Sequence, residues 1–488
     1  MRNRLTNLRQ LATLINEQVD FIENLAEQQG VNYPTIDTIF NECNESEKFT
    51  TQAEVFDASL IAISAASQLI ATLKLPVPAL YERATGYHIS SALRIASEVC
   101  AVELLRDAGP KGMHVKDIAA ATETNATMLG RCLRILATHY VFKEVEPNVF
   151  ANNRLSSMMD TGKDSKFLVK LAKMANPSPL QGVSTVRGEK YINTNSVVAL
   201  LDISTDYIYK ATSYIPDVFL SNTKSRSAFQ TSINYDGSLW DFFEEHPHHL
   251  QRFQISMEAW TRMNPANLQS SLKGFDWSTL PTGATVVDVG GGNGSVSFDI
   301  AKRAPHINIV VQDRVQTIKD VTIPTWQADP EKNELLKSKR VSLEGHSFFD
   351  DQPSHLVGKV DVYFMRYILH DWSAAESAKI LKRIHAAASK STKLLIIDQV
   401  VPYACPTQAH KHLFEGSNLP QAPYPLLANL GEANSPTYRL DIAMEALFNG
   451  QERTLGEFQE LTEGTGWRIE KIFQTKGSNI SQILCTKV

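Results

Sequence analysis

The sequence predicts an α/β fold: a mainly parallel, Rossmann-like sheet with an antiparallel last strand, preceded by a mainly α-helical region. Three observations predict it. A β-branched run at 285–289 leads through a glycine-rich loop into a helix, as a parallel βαβ unit begins. The last two apolar runs, 467–475 and 480–486, are joined by too few residues for a crossover helix, so they should pair antiparallel. The N-terminal half carries apolar residues at helical spacing instead.

Composition and charge are those of an ordinary globular protein. The chain has 488 residues, 43% of them hydrophobic and 21% charged, which is enough for two or three domains with buried cores. The formal net charge of −5 argues against a protein that mainly coats nucleic acid or an anionic membrane, because such binding needs clustered cations. The five cysteines are scattered and form no CxxC pair, which favours reduced thiols.

Signals for export or membrane insertion are not evident in the sequence. Asn7, Arg9 and Gln10 interrupt the N-terminal stretch where a signal peptide would be apolar. A membrane-spanning helix needs a run of about 18 uncharged apolar residues, and we find none. We therefore expect a soluble, cytoplasmic protein that acts without a membrane.

Three regions are predicted along the chain: an N-terminal helical arm at 1–75, a second helical region at 76–270, and the α/β domain at 271–488. In the second region, one helix is predicted over 88–105. Residues 115–140 resemble a helix-turn-helix, and the alternating residues that follow, up to 151, are expected to form the wing of a winged helix.

A winged helix can bind DNA, so a DNA-binding regulator with a ligand domain is one alternative. The second helix carries Arg131 and Arg134 but is otherwise mostly apolar, which leaves a thin polar face for a major groove. We therefore favour a packing or dimerisation module, and no nucleic-acid partner.

The glycine loop predicts a cofactor that contains a ribose. Asp288 ends the first strand, and Gly290, Gly292 and Gly294 let the backbone turn tightly and approach a ligand. The next strand ends at Asp313, whose carboxylate can accept bonds from two ribose hydroxyls. An NAD(P)-dependent oxidoreductase is the competing interpretation, but in its GxGxxG pattern the third glycine comes one position later.

Three segments together resemble one family. Residues 288–294 (DVGGGNG), 367–373 (YILHDWS) and 451–454 (QERT) are similar to the plant and fungal small-molecule O-methyltransferases, the caffeate and isoflavone methyltransferase family. The resemblance covers roughly residues 80–488. It implies a class I methyltransferase domain with a seven-stranded sheet, a winged-helix dimerisation domain and a homodimer. It also implies S-adenosylmethionine as the cofactor and a small phenolic or aromatic secondary metabolite as the acceptor.

The resemblance assigns residues to the cofactor. It matches Asp288 and the three glycines to the cofactor loop, and Asp313 to the ribose-binding acid. Further positions that it places at the cofactor are Ser347, Phe348, Arg366, Asp371 and Trp372. Ser347 stands where the family commonly has an aspartate for the adenine amino group, and Arg366 stands where a lysine is frequent.

The resemblance assigns the chemistry to His370 as the general base, with Asp398 and Glu452 as acids that flank and orient it. Asp398 is one methylene shorter than the glutamate of plant members, so we expect its contact with the imidazole to run through water. A phenol has a pKa of about 10 and a free histidine about 6.5, so complete prior deprotonation would cost roughly 5 kcal/mol. Proton transfer during in-line methyl transfer is therefore expected.

Three further features have simpler alternatives. Met257 lies in a helix that resembles the family's substrate wall and is assigned to the acceptor, although methionine at helical spacing is more often core. Residues 402–438, rich in Pro, Gly and Asn, are predicted to form a lid or pocket wall, or else a surface insertion. No metal is expected, because His410 and His412 have no acids at ligand spacing nearby.

Overall fold

The computed structural model describes residues 6–174, 188–221, 226–262, 272–406, 414–417, 421–475, 478 and 480–488. Its internal contacts divide the chain into two compact units, residues 1–263 and 264–488. The first unit is mainly helical and the second is α/β, in agreement with the predicted fold class.

Amphipathic helices build the N-terminal unit. The helices of its first half are Asn7–Gln29, Glu45–Thr50, Ala53–Leu73, Pro76–Ala84, Tyr87–Glu98, Ala101–Ala108, Val115–Thr122 and Ala126–Thr138. Those of its second half are Arg154–Ser157, Ser165–Met174, Val197–Ile203, Tyr209–Ser213, Ile215–Leu220, Ala228–Ile233, Leu239–Glu245 and Pro247–Arg262. The single helix predicted over 88–105 is wrong. Cys100 adopts a left-handed conformation with φ of 52°, which an α-helix cannot continue through, so two helices form there.

The winged helix is present. Its strands β1 (Met113–His114), β2 (Lys143–Glu146) and β3 (Val149–Ala151) form an antiparallel sheet in the order β1-β3-β2. Helix Ala126–Thr138 begins where the Asn125 side chain accepts a hydrogen bond from the Met128 N–H. The exposed Arg134 of this helix forms a 2.8 Å ion pair with Glu144 of the wing.

Helix Ala53–Leu73 is, among the described residues, the one helix long and apolar enough to cross a membrane by length and composition. It packs against helix Asn7–Gln29. A core helix of a globular protein passes the same length and composition test, so this helix is weak evidence for a membrane span.

Among the described residues of the C-terminal unit, seven strands form one sheet. They are β4 (Thr285–Val289), β5 (Asn308–Asp313), β6 (Val341–Gly345), β7 (Val362–Arg366), β8 (Lys393–Gln399), β9 (Trp467–Gln474) and β10 (Ile480–Lys487). Their order is β6-β5-β4-β7-β8-β10-β9, and β4 to β8 are parallel. β10 runs antiparallel to both β8 and β9, so the predicted antiparallel last strand is confirmed. The 475–479 connection is too short for any other arrangement.

Helices cover both faces of this sheet, because alternate residues of each buried strand point to opposite sides. The helical segments are Ser295–Arg303, Val315–Thr317, Ile323–Ala328, Pro330–Lys337, Ala374–Ala387, Ser435–Phe448 and Leu455–Glu463. Along β8, Leu394 and Ile396 join one core, whereas Leu395 and Ile397 join the other. Because β4, β5, β7 and β8 are parallel, their carboxyl ends lie at the same edge of the sheet, where ligands bind in open α/β sheets.

Candidate active site

The loop that follows β4 requires glycine. Gly290, Gly292 and Gly294 have φ values of 73°, 57° and 72°, in the left-handed region that disfavours side chains. A Cβ on Gly290 would lie 2.4 Å from Ile368 Cδ1, and one on Gly294 would lie 2.7 Å from Trp326 Nε1. A Cβ on Gly292 would meet nothing within 4 Å. Two of these glycines are thus needed for packing, whereas Gly292 borders open space.

Two acids flank the loop. Asp288 is buried and accepts a 2.6 Å hydrogen bond from the Ser297 hydroxyl. Burial raises the pKa of Asp288 to about 7, although the Ser297 hydrogen bond opposes that change. Asp313, at the end of β5, accepts hydrogen bonds from the N–H groups of Gly292 (2.9 Å) and Arg314 (2.8 Å). Its carboxylate therefore orders the loop in addition to any contact with a ribose.

Aromatic side chains lie next to the loop. The rings of Phe348 and Trp372 meet edge to face with their centroids 5.7 Å apart. The ring centroid of Phe349 lies 4.7 Å from that of Trp372. A Cβ on Gly290 would come within 3.7 Å of Phe348. Ser347 is exposed, and its hydroxyl accepts a hydrogen bond from the Phe349 N–H at 3.3 Å. Phe348 and Trp372 offer an apolar surface to a purine, and Ser347 offers no carboxylate.

Arg366 ends β7 with a buried Nε that has no hydrogen-bond partner among the described residues. Its guanidinium lies 5.1 Å from the ring centroid of Tyr367. These residues fit S-adenosylmethionine: Asp313 suits ribose hydroxyls, the open side of Gly292 allows close approach, and the unpaired donor of Arg366 suits a carboxylate.

His370 lies in the turn Leu369–Asp371 after β7. Its Nδ1 is 2.7 Å from Glu452 Oε1, and its Nε2 is 3.4 Å from Asp371 Oδ1. Burial disfavours the imidazolium, but the carboxylates of Asp371 and Glu452 outweigh burial and raise the pKa of His370 to about 10. Burial also raises the pKa of Asp371 to about 6. The fold thus joins an imidazole to carboxylates from two separate segments.

Asp398, in β8, is 1% exposed, and neither of its carboxylate oxygens has a hydrogen-bond partner among the described residues. Burial raises the pKa of Asp398 to about 7, whereas the charge of His370 lowers it and that of Glu452 raises it. Asp398 thus interacts with His370 electrostatically, without a direct hydrogen bond. The water-mediated contact stays a prediction.

The remaining predicted features belong to the other unit or lie outside the described residues. Met257 belongs to the N-terminal unit, on helix Pro247–Arg262, and is 36% exposed. Its contact with an acceptor stays a prediction. His410 and His412 lie outside the described residues, as do 407–413 and 418–420 of the predicted lid. Within the described part of the chain, no group of three or more His, Cys, Asp or Glu is placed to hold a metal.

Sequence reasoning missed several supporting residues, which are Trp326, Tyr367, Asp441 and Arg453. Trp326 packs against Gly294. The Tyr367 ring lies 5.2 Å from the ring of His370, and Asp441 accepts the Glu452 N–H at 2.8 Å. Arg453 had a sequence signal, because it follows Glu452 within the QERT segment.

Comparison with known proteins matches both parts of the chain. Residues 81–161 match the O-methyltransferase dimerisation domain, and residues 219–421 match the O-methyltransferase domain. An O-methyltransferase of Armillaria gallica is 35% identical over 486 residues, which cover 98% of each protein. The 4-O-methyltransferase 1 of Phanerochaete chrysosporium is 34% identical over 97% of each.

Solved structures share the fold. OxaC in complex with SAH and oxaline has a TM-score of 0.61 and 18% identity, covering 98% of this chain and 100% of that chain. The mitomycin 7-O-methyltransferase MmcR has a TM-score of 0.58 and 20% identity, covering 87% of this chain and 99% of that chain.

Proposed function

The chain belongs to the plant and fungal O-methyltransferase family with a dimerisation domain, and we propose that it methylates a phenolic hydroxyl of a small aromatic molecule with His370 as general base. Membership makes it an S-adenosylmethionine-dependent O-methyltransferase of secondary metabolism. The NAD(P) oxidoreductase alternative is thereby rejected. The DNA-binding alternative loses its support, because residues 81–161 match a dimerisation domain.

When bound, S-adenosylmethionine supplies a methyl group that its positively charged sulfur has already activated. The residues proposed to hold it are Asp288, Gly290, Gly292, Gly294, Asp313, Ser347, Phe348, Arg366, Asp371 and Trp372. The protein then has to align the acceptor oxygen with the methyl group and remove its proton. Alignment alone can lower the activation barrier by about 7–11 kcal/mol in favourable systems.

The single observation that carries the base assignment is the 2.7 Å contact between His370 Nδ1 and Glu452 Oε1. A carboxylate at Nδ1 keeps the proton of the neutral ring on that nitrogen, which leaves Nε2 free to accept one. Asp371 Oδ1, 3.4 Å from Nε2, stabilises the imidazolium that then forms.

The raised pKa of His370 favours a phenol as the acceptor. In the free site the pKa of His370 is raised to about 10, close to the pKa of a phenol, also about 10, and any fall in the pKa of His370 on cofactor binding widens the gap between them. An ordinary histidine would face a gap of about 3.5 pKa units, or about 5 kcal/mol. A hydroxyl as weakly acidic as water, with a pKa of about 15.7, would still face a larger gap.

The same pKa means that His370 is an imidazolium in the free site at neutral pH. It therefore has to lose a proton when the substrates bind, before it can act as a base. A second positive charge in the site opposes the imidazolium and lowers the pKa of His370. The sulfonium of the cofactor carries such a charge. We therefore expect a lower apparent pKa in the pH profile of kcat, which reports the enzyme–substrate complex, than in the profile of kcat/KM for S-adenosylmethionine, which reports the free enzyme.

Kinetics across phenols of graded acidity test this proposal. We expect His370→Ala to keep its affinity for S-adenosylhomocysteine and to lose about 10²- to 10⁴-fold in turnover on weakly acidic phenols. The loss should shrink on phenols that are ionised at the assay pH. His355→Ala, which removes an exposed histidine of the same unit, is the control. An equal loss on every phenol would contradict the base assignment.

We propose a homodimer held by the N-terminal unit. Helices Ala53–Leu73 and Pro76–Ala84 leave large apolar side chains exposed, among them Ile63, Ile70, Leu73 and Leu80. Ile63 and Ile70 are seven positions apart and therefore lie on one face of their helix, and an exposed apolar face of this kind is typical of a protein–protein interface. Sedimentation should give a dimer for the parent protein and a monomer for the double variant Ile63→Glu, Ile70→Glu. A parent that sediments as a monomer at micromolar concentration, or that floats with lipid vesicles, would contradict the proposal.

The proposed site of action is the cytoplasm, with neither a membrane nor nucleic acid as a partner. The net charge of −5 supports this proposal. Cell fractionation should recover the protein with the soluble proteins. Recovery in the membrane fraction would contradict it.

A further inference from the structure

Arg453 follows Glu452 and is 1% exposed. Its backbone is joined to the chain just beyond β8: Val400 and Arg453 form a parallel bridge, and the Val401 N–H donates to Arg453 O at 2.9 Å. Arg453 therefore has a fixed place at the same edge of the sheet as the predicted active site.

The guanidinium of Arg453 holds both ends of the turn that carries His370. Nη1 donates to Leu369 O at 2.6 Å, and Nη2 donates to Trp372 O at 2.7 Å. Nη2 also donates to the Ser377 hydroxyl at 3.0 Å, and the single hydrogen of that hydroxyl is shared between the same two carbonyl oxygens, each 3.2 Å away. Leu369 directly precedes His370 and Trp372 follows two residues later, so one side chain spans the turn.

The residues before Arg453 hold the same turn. The Gln451 N–H donates to His370 O at 2.9 Å, and Glu452 binds His370 Nδ1 at 2.7 Å. A Cβ on Gly450 would lie 2.3 Å from His370 O, so the segment can pass this closely only with glycine there. Consecutive residues thus hold the backbone and the side chain of His370 together.

Among the described residues, no carboxylate forms an ion pair or hydrogen bond with the Arg453 guanidinium that would explain its burial. The acceptors of its hydrogen bonds are carbonyls and a hydroxyl, all of them neutral. Burial lowers the pKa of Arg453, and the charges of Asp398 and Glu452 offset only part of that cost. What a guanidinium supplies here is a planar fork with several donors, which the point charge of a lysine does not reproduce.

We propose that Arg453 is a positioning residue for methyl transfer: its fork holds the 369–372 turn so that His370 stays aligned with Glu452 and Trp372 stays at the cofactor site. The inference rests on the proposed role of His370 and adds a residue that acts only through this turn. Because a misplacement of about 1 Å can cost about 10²-fold in rate, loosening the turn should reduce turnover strongly.

The test compares Arg453→Met and Arg453→Lys with Arg340→Lys, in the full-length protein. Arg340, the residue before β6, also donates to two backbone carbonyls, Ala301 O and Ala304 O. We expect kcat to fall about 10²-fold in Arg453→Met and less in Arg453→Lys, with the acceptor KM nearly unchanged. Arg340→Lys should keep the parent kcat while also lowering Tm, because it too loses hydrogen bonds to backbone carbonyls. If Arg453→Met does not fold, Arg453→Lys carries the comparison.

Proton NMR separates positioning from stability. The proton between His370 Nδ1 and Glu452 should give a downfield resonance that persists in Arg340→Lys and shifts or disappears in Arg453→Lys. An unchanged resonance together with a parent-like kcat in Arg453→Lys would overturn the inference. If His370→Ala keeps its activity, the base proposal fails, whereas the resonance still shows whether Arg453 holds the turn.

Discussion

Replacing Glu452 by glutamine keeps the size of the side chain and removes the negative charge that lies 2.7 Å from His370 Nδ1. A hydrogen bond to a charged partner is worth about 1.5–3 kcal/mol, and one pKa unit corresponds to about 1.36 kcal/mol. The pKa of His370, which Asp371 and Glu452 raise to about 10, should therefore fall by about one to two units in Glu452→Gln. Because a weaker base accepts the proton less readily, the plateau value of kcat should fall by about 10- to 10²-fold.

The assay is the pH profile of kcat/KM for S-adenosylmethionine, supported by an NMR titration of His370 in the cofactor-free protein. Glu457→Gln is a matched control, since Glu457 lies on the same segment and accepts hydrogen bonds from the Thr454 N–H and hydroxyl. Glutamine can keep that capping interaction. A midpoint that does not move in Glu452→Gln, or that moves equally in Glu457→Gln, would refute the reasoning.

Three further predictions concern the cofactor loop and the buried acids. Gly292→Ala should weaken binding of S-adenosylhomocysteine but lower Tm no more than Gly283→Ala does, because both glycines have positive φ and open space around a Cβ. If calorimetry gives Gly292→Ala the same affinity as the parent protein, the loop assignment is refuted. Asp313→Ala should lose at least about 10-fold in affinity for S-adenosylhomocysteine in the same assay, since it removes a carboxylate acceptor of ribose hydroxyls and of the Gly292 N–H. An affinity equal to that of the parent protein would exclude this role. Asp398→Asn should remove a pH dependence of stability. The pKa of Asp398 is raised from 3.8 to about 7, so the parent's free energy of unfolding should fall as pH rises through this window; an identical fall in the variant, measured by urea unfolding, would argue against it.

Local patterns in the sequence were enough to predict most of the fold. The β-branched run at 285–289 and the glycines after it specify strand, loop and helix within about twenty residues, and the structure has them there. The helix predicted over 88–105 failed at Cys100, because its apolar spacing continues through a residue whose backbone turns left-handed. Periodicity reports which face is buried but does not report a single φ angle.

The sequence by itself determined the fold class, a helical region followed by an α/β domain, and the antiparallel last strand, since each depends on neighbours in the chain or on a short connection. The resemblance of three segments to one family supplied most of the candidate residues. Only the tertiary structure decided how those residues meet. His370 and Glu452 are 82 positions apart, and Arg453 reaches Leu369 across 84. The raised pKa values of His370 and Asp398 follow from burial and from charges on other strands and turns. Such effects depend on distances through space, which spacing along the chain does not contain.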